Sequence, residues 1–336
     1  MEKSPSYQEA CHQKKQKRSL GKFLYQSQPP RQPLETNDWA RCPPPIDGAA
    51  LSDGHGNLIT APNVKASIFL DKYAAAGRLR HEGDPELEEF IESEINSDKP
   101  NPLNMKFTAK ELDSALSNLK KKSACGRNLI HYEMLTNLSP KNREFLLFVF
   151  NFLLTTSCVP DDWKHAIVVP LLKPGKPPDK ADLYRPISLT SCLSKIFEKM
   201  VNSRLTWLLE SKGILPVTQS GFRQGRSTND NLVHLEHSIS RGFSSKKVTY
   251  AVFLDMSKAF YVTWITGLLY KLASIGISGC LLKWFQRFLT DRSFSVRIGD
   301  FTSPARKIFS GVPQGGRCSP NFFIVMLYDF PGLLLL

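Results

Sequence analysis

Helical spacing of apolar residues begins at Phe107, where Leu112, Leu116 and Leu119 recur every few residues and Thr108 with Glu111 carries the signature of a capping box. A helix of about three turns is expected there. A second apolar helix is expected around Arg143 to Leu154, and a third from Thr190 to Ser211. Leu193, Ile196, Phe197, Met200, Leu205 and Leu208 form the inward face of the third, and Gly213 is its natural stop. Between these two helices lie the β-branched run Ala166–Leu172, the turn-rich Lys173–Pro178, and Tyr184–Leu189. Two strands around a proline-rich tip is the economical reading. Val248–Leu254 is apolar on both faces, as a central strand should be, and it ends on Asp255. A helical pattern begins near Thr263, and another runs from Ser319 to Leu327 behind the glycine-dense turn Gly311–Gly316.

The ends of the chain read differently. Seven of the 23 prolines fall in the first 45 residues, beside the cluster Lys14, Lys15, Lys17 and Arg18. Residues 1–60 are therefore expected to be a flexible basic arm, its cluster either a nuclear-localisation or RNA-contacting patch or an ordinary solvated tail. Glu86, Glu88, Glu89, Glu92 and Glu94 read as a solvated helix face within a helical linker over 61–103.

Charge changes the picture more than composition does. Lys and Arg number 44 against 31 Asp and Glu, a net +13 over 336 residues, which points to a polyanionic partner, nucleic acid ahead of an anionic membrane. The longest apolar stretch, Phe145–Leu154, is about half the ~20 residues a membrane span needs, so no membrane role is expected. No secretory signal follows the N-terminal charges. Seven cysteines without a CxxC pair argue for reduced thiols in a nuclear or cytoplasmic setting and against a zinc knuckle.

Asp255 is the sharpest candidate for chemistry. A carboxylate at the end of an apolar strand must be paired or bound to a cation; an N-cap, an ion pair with Lys258 and metal ligation are all open from position alone. Lys173 and Arg185 flank the hairpin tip, where both cations can reach one phosphate chain. Eleven basic and four acidic residues lie between Lys164 and Arg226, surrounding Gln219–Arg223 and Gly225-Arg226. A nucleic-acid or nucleotide groove is the reading this supports. His234 and His237 do not make a metalloprotease motif, and they read as surface or core histidines. Trp163, Trp264 and Trp284 are expected to pack, and Cys125, Cys192 and Cys318 show no base partner in the sequence.

In chain order these pieces resemble the reverse transcriptases of non-LTR (LINE-like, jockey- or RTE-like) retrotransposons, over about Asn104 to Asp329. The stations are Leu119–Gly126, Ile130–Leu135, Trp163–Pro170, Tyr184–Leu189, Gln219–Arg223 with Ser227–Asp230, Phe253–Phe260 and Gly311–Gly315. The resemblance implies an α/β (α+β) fold, a right-hand polymerase's fingers and partial palm over 104–330 with a mostly helical N-terminal part. It also implies an activity, RNA-directed DNA polymerisation, in which deoxynucleoside triphosphates are added to a DNA primer on an RNA template. By the same resemblance Asp255 is a catalytic carboxylate and ligand of two Mg²⁺ ions. Phe260 is the aromatic gate under the sugar, Lys173 and Arg185 grip the triphosphate, Gln314 and Gly315 lie against the nascent pair, and Arg223 sits in the fingers near the template, while Arg226 is given to the nucleic acid by the basic stretch around it. Gly54–Leu79 resembles the linker that follows an endonuclease domain in the family.

The departures from the family pattern carry their own expectations. Tyr261 stands where the family has Asp, and Cys125, Arg127, Asn128 and Leu129 replace two prolines, an aspartate and a glycine. The family's Tyr-x-Asp-Asp hairpin belongs beyond residue 329, whereas residues 331–336 read Pro-Gly-Leu-Leu-Leu-Leu, an off-pattern tail. Leu327-Tyr328-Asp329 lacks the second aspartate. The chain as written is therefore expected not to polymerise. Two alternatives accompany that expectation: a degenerate element copy that keeps only nucleic-acid binding, and an unstable gene-model fragment.

Overall fold

A computed structural model of the chain describes residues 50–52, 58–78, 83–119 and 123–330. The Lys14–Arg18 cluster, Lys120–Lys122 and the 331–336 tail lie outside the described residues.

The described residues open with a two-stranded ladder of β1 (Leu51–Ser52) and β2 (Leu58–Ile59), then helices α1 (Pro62–Ala76) and α2 (Pro85–Ile95). Asp84 caps α2 by accepting from the Glu86 N–H at 3.1 Å, and Ile91 and Ile95 turn inward while Glu86, Glu88, Glu89 and Glu92 face solvent and Glu94 is half-buried. The capping box predicted at Thr108 is formed: the Glu111 N–H donates to Thr108 Oγ1 at 3.2 Å and Glu111 Oε2 accepts from the Thr108 N–H at 2.8 Å. The helix it opens, α3 (Ala109–Leu116), is eight residues rather than the three turns expected. Asn118, at a φ of 54°, takes the left-handed conformation that asparagine tolerates, and the helix ends before it.

Then come α4 (Tyr132–Thr136), α5 (Pro140–Thr155), α6 (Asp161–Lys164), β3 (His165–Leu172), β4 (Tyr184–Leu189) and α7 (Cys192–Ser211). Gly213, at a φ of 60°, closes α7 as expected: its N–H reaches the Glu210 carbonyl at 3.2 Å, and the Ile214 N–H reaches that of Leu209 at 3.1 Å. The C-terminal part holds α8 (Thr228–Ser244), α9 (Ile265–Ser274), α10 (Gly279–Leu289), β5 (Arg292–Ile298), β6 (Phe301–Thr302), β7 (Arg306–Ile308) and α11 (Ser319–Leu327).

β3 is the centre of the main sheet. It pairs antiparallel with β4 from Ile167↔Leu189 to Leu172↔Tyr184, and parallel with β5 from His165↔Ser293 to Val168↔Val296. Pro170 faces Pro186 beyond the end of the β5 register, so neither ring removes a donor that the ladder needs. The hairpin and its tip are as the sequence predicts.

Among the described residues two cores hold the fold. One lies among the helices, where the Phe197 ring sits 4.7 Å from Trp284 and 5.4 Å from both Phe150 and Phe107. Trp163 and Trp284 are buried in it, and the predicted inward face of α7 packs there. In the other, α1 lays Phe69 and Tyr73 on the sheet against Tyr184, Phe294 and Val296. No described helix is long and apolar enough to cross a membrane.

One expected element is absent. Val248–Leu254 is not a strand: residues 247–256 carry no regular structure, and Val252 and Phe253 are each 82% exposed. β3 lies between β4 and β5, and β5 pairs on its other side with β6 and β7. Among the described residues the run finds no strand to pair with, and β-propensity without a ladder does not hold a strand.

Candidate nucleotide-binding site

The β3–β4 hairpin, the turn at Phe260 and the turn at Gly311–Gly316 meet through their backbones. The Val312 N–H donates to the Phe260 carbonyl at 2.7 Å and the Gly311 N–H to that of Thr263 at 2.9 Å. Ser310 Oγ donates to the Tyr261 carbonyl at 3.0 Å. Gly311 has a φ of 90°, and a Cβ there would stand 2.6 Å from the Phe260 oxygen, so only glycine permits this approach. On the other side of the turn, the Ser188 N–H of β4 donates to the Gln314 carbonyl at 3.2 Å. Gly315, at a φ of 115°, would bring a Cβ to 3.1 Å from the Ser188 oxygen.

Arg185 is exposed on β4 opposite Leu171, and strand alternation puts it on the same face as Lys173. Lys173 Nζ donates to the Asp182 carbonyl at 3.0 Å. Among the described residues Arg185 has no carboxylate partner. Phe260 is half-buried, its ring 5.4 Å from Phe323 of α11. The backbone bonds thus join the turns that carry Phe260, Gln314 and Gly315 to the hairpin that carries Arg185 and Lys173.

Asp255 stands differently. It is exposed on the irregular segment that replaces the expected strand. Among the described residues no three His, Cys, Asp or Glu side chains gather where they could hold a metal ion. The residues present therefore do not fit a two-Mg²⁺ site.

Arg223 and Arg226 are tied into the protein. Arg223 forks onto Glu210, with Nε to Oε1 at 2.9 Å and Nη2 to Oε2 at 2.5 Å, and Nη1 reaches the Pro216 carbonyl at 2.9 Å. The pair with Arg223 holds the Glu210 carboxyl below its ordinary range. Arg226 Nη1 donates to the Val217 carbonyl at 2.6 Å. These contacts shape the turn before α8. On α8 itself no residue is buried, and His234 and His237 face solvent.

Residues that periodicity does not flag also build the site. Glu198 of α7 is 1% exposed; its Oε2 accepts from the Arg317 N–H at 2.7 Å and its Oε1 from Ser194 Oγ at 2.9 Å. A buried carboxylate thus fixes the exit of the Gly311–Gly316 turn, with Arg292 and Lys195 as its cationic neighbours. Burial raises the Glu198 pKa and lowers that of Arg292 to about 10. The spacing Ser194 to Glu198 is the one signal the sequence offered, since residues four apart share a helix face. Tyr73 and Tyr261, with Arg292, Ser188 and Gln314, line a cavity of about 30 Å³ beneath the turn. Both phenol pKa values are raised by burial. Cys125, for which the sequence showed no base, lies with Sγ 3.3 Å from His131 Nε2.

Residues 172–336 match the family model described as reverse transcriptase (RNA-dependent DNA polymerase). The chain is similar to the probable RNA-directed DNA polymerase from transposon BS of Drosophila melanogaster, 34% identical over 235 residues, 68% of this chain and 26% of that protein. It is also 30% identical over 246 residues to the RNA-directed DNA polymerase from mobile element jockey of the same species, 73% of this chain and 26% of the relative. The chain carries a reverse transcriptase domain of the non-LTR retrotransposon family. It spans about a quarter of the length of these curated relatives. Its mixed helix and sheet architecture agrees with the α/β fold that the family resemblance implied.

Proposed function

We propose that the chain forms the nucleotide-holding part of an RNA-directed DNA polymerase, which seats a deoxynucleoside triphosphate against an RNA template and a DNA primer. The observation that carries this reading is the backbone junction of the three turns. Ser188 bonded to Gln314, and Phe260 bonded to Val312, join hairpin, sugar position and base-pair position into one rigid unit. In it Arg185 and Lys173 bind the phosphates as fixed cations, Phe260 occupies the space of a ribose 2′-hydroxyl, and the backbone at Gln314 and Gly315 lies against the new base pair.

Divalent metal is the family's usual aid to phosphoryl transfer. The described residues, with Asp255 exposed and without a carboxylate cluster, account for holding the nucleotide and not for activating a primer hydroxyl. No extension of a primer above a matched Asp255→Ala control is expected from this chain with Mg²⁺ or Mn²⁺. Clear extension that the substitution abolishes would mean that a carboxylate from elsewhere in the chain completes the site.

The test of the holding function is nucleotide preference. With a primer–template present, the protein should bind a deoxynucleoside triphosphate more tightly than the matching ribonucleotide, and Phe260→Val should shrink that difference. An unchanged preference would make Phe260 ordinary packing against Phe323.

A further inference from the structure

Two lysines from separate stretches, Lys72 and Lys173, meet on Asp182 at the base of the hairpin tip, and the charge of a third, Lys258, acts on the pair. Lys72 stands on α1 between Phe69 and Tyr73, which are buried against the sheet; the Phe69 ring lies 5.1 Å from that of Tyr184 on β4. This anchoring makes the position of Lys72 a rigid property of the fold. Its Nζ lies 2.6 Å from the Asp182 carboxylate, while Lys173 Nζ holds the carbonyl of the same residue. Lys258 belongs to the turn between Asp255 and Phe260, at a φ of 56° that a lysine rarely adopts.

The electrostatics show the three cations acting on one another. Burial lowers the Lys72 pKa, Asp182 opposes that shift, and the charges of Lys173 and Lys258 reinforce it. Asp182 is held below its ordinary range, chiefly by its hydrogen bond to Lys72. The Asp182 carboxylate pairs with Lys72 and feels the charges of Lys173 and Lys258, and it is the exposed member, with 91% of its side chain open to solvent against 22% for Lys72. Surplus positive charge around a partly buried lysine is costly unless an anion neutralises it.

We propose that Lys72, which lies outside the matched domain at 172–336, is a further ligand for the phosphate chain of the incoming nucleoside triphosphate, and that Asp182 occupies it until the triphosphate arrives. This inference rests on the nucleotide-holding reading above. Binding exchanges one ion pair for another: the Asp182 carboxylate releases Lys72 to solvent water, and phosphate oxygens take its place. No covalent bond changes. Helix α1 then becomes part of the nucleotide site as well as the support beneath the sheet.

The test is equilibrium binding of a fluorescent deoxyadenosine triphosphate to the full chain, with an RNA oligonucleotide titrated in parallel and a melting curve for each variant. Lys72→Met, which keeps the aliphatic stem, should weaken triphosphate binding about tenfold, the size of one lost charge-assisted hydrogen bond. Lys72→Arg should recover most of that loss, and RNA binding should stay within about twofold of wild type, since a single phosphate contact is at most in question. Asp182→Asn should tighten triphosphate binding several-fold by removing the competing carboxylate. If Lys72→Met melts early, the Asp182→Asn result decides. Unchanged or weaker binding in Asp182→Asn, or unchanged binding in a folded Lys72→Met, overturns the proposal and leaves Lys72 as a strut for the hairpin. If Arg185→Ala still weakens binding in that case, the nucleotide-holding reading stands without Lys72. Equal losses for RNA and triphosphate overturn it in favour of a backbone contact. A wild-type protein that binds no triphosphate removes both readings.

Discussion

The β3–β4 hairpin and the Val248–Leu254 run have nearly the same sequence texture, and the protein treats them in opposite ways. Ala166–Leu172 is β-branched and apolar, and it gains a strand on each side, antiparallel β4 and parallel β5. Val248–Leu254 is as apolar, yet Tyr250 is 89% exposed and no described strand pairs with it. The difference lies in the partners. A strand's hydrogen bonds belong to its neighbours, so apolar pattern and propensity set what a segment is able to do and the available edges decide what it does. The same contrast divides the candidate site. Arg185, Gln314 and Phe260 inherit order from the paired side, while Asp255 sits at the end of the unpaired one.

The widest gap between the two regions should appear on truncating one phenylalanine in each. Phe197 lies at the centre of the helical core, touching the rings of Phe107, Phe150, Trp163 and Trp284. Phe197→Ala is expected to cost about 3–5 kcal/mol in denaturant unfolding, and Phe253→Ala less than about 0.5. Comparable losses would mean that the 247–256 segment is packed in solution, and the comparison would collapse.

Next in size is Glu198, which ties the Gly311–Gly316 turn to α7. Glu198→Ala leaves the buried Ser194 hydroxyl and the part-buried Arg317 N–H without their acceptor and should cost about 1–3 kcal/mol. The pH dependence has a definite sign. Burial raises the folded-state pKa of Glu198 despite Arg317, Ser194, Arg292 and Lys195, so the folded protein keeps this proton to higher pH than the unfolded chain does. Its contribution to stability therefore falls as pH climbs above about 4.3, the unfolded value, until the raised value is passed. Glu198→Gln should remove that slope from a series of melts; a slope that survives belongs to other groups.

These cases show what was legible in the sequence. The hairpin, its register ends, the capping box at Thr108 and the Gly213 stop follow from local chemistry that is complete within a few residues. The paired or unpaired fate of Val248–Leu254 depends on edges supplied by β5 and β7, some 40 to 60 residues further on, which no local pattern reports. Charge misleads in a similar way. Arg223 adds to the excess between Lys164 and Arg226, yet its charge is paired with Glu210, whereas Arg226 gives one hydrogen bond to the Val217 carbonyl. Lys72 carries no motif at all and enters only because α1 lands on the sheet.

A smaller effect sharpens the same point. RNA affinity should fall linearly with salt on logarithmic axes if the basic stretch meets phosphates, with a slope near 0.9 or 0.7 per phosphate neutralised for duplex or single strands. Arg223→Ala should leave that slope unchanged within error while lowering the melting temperature, because its charge is already paired. A slope reduced by about one unit would return Arg223 to the nucleic-acid face.

Whether the paired region holds a triphosphate is decided by a paired titration of Arg185→Ala against wild type. One arm reads deoxynucleoside triphosphate binding, the other RNA binding, on the same preparations. The triphosphate arm should weaken about tenfold or more, as expected for losing a forked guanidinium contact, while the RNA arm moves little. Equal losses in both arms would contradict it and reduce Arg185 to one more contact with the nucleic-acid backbone.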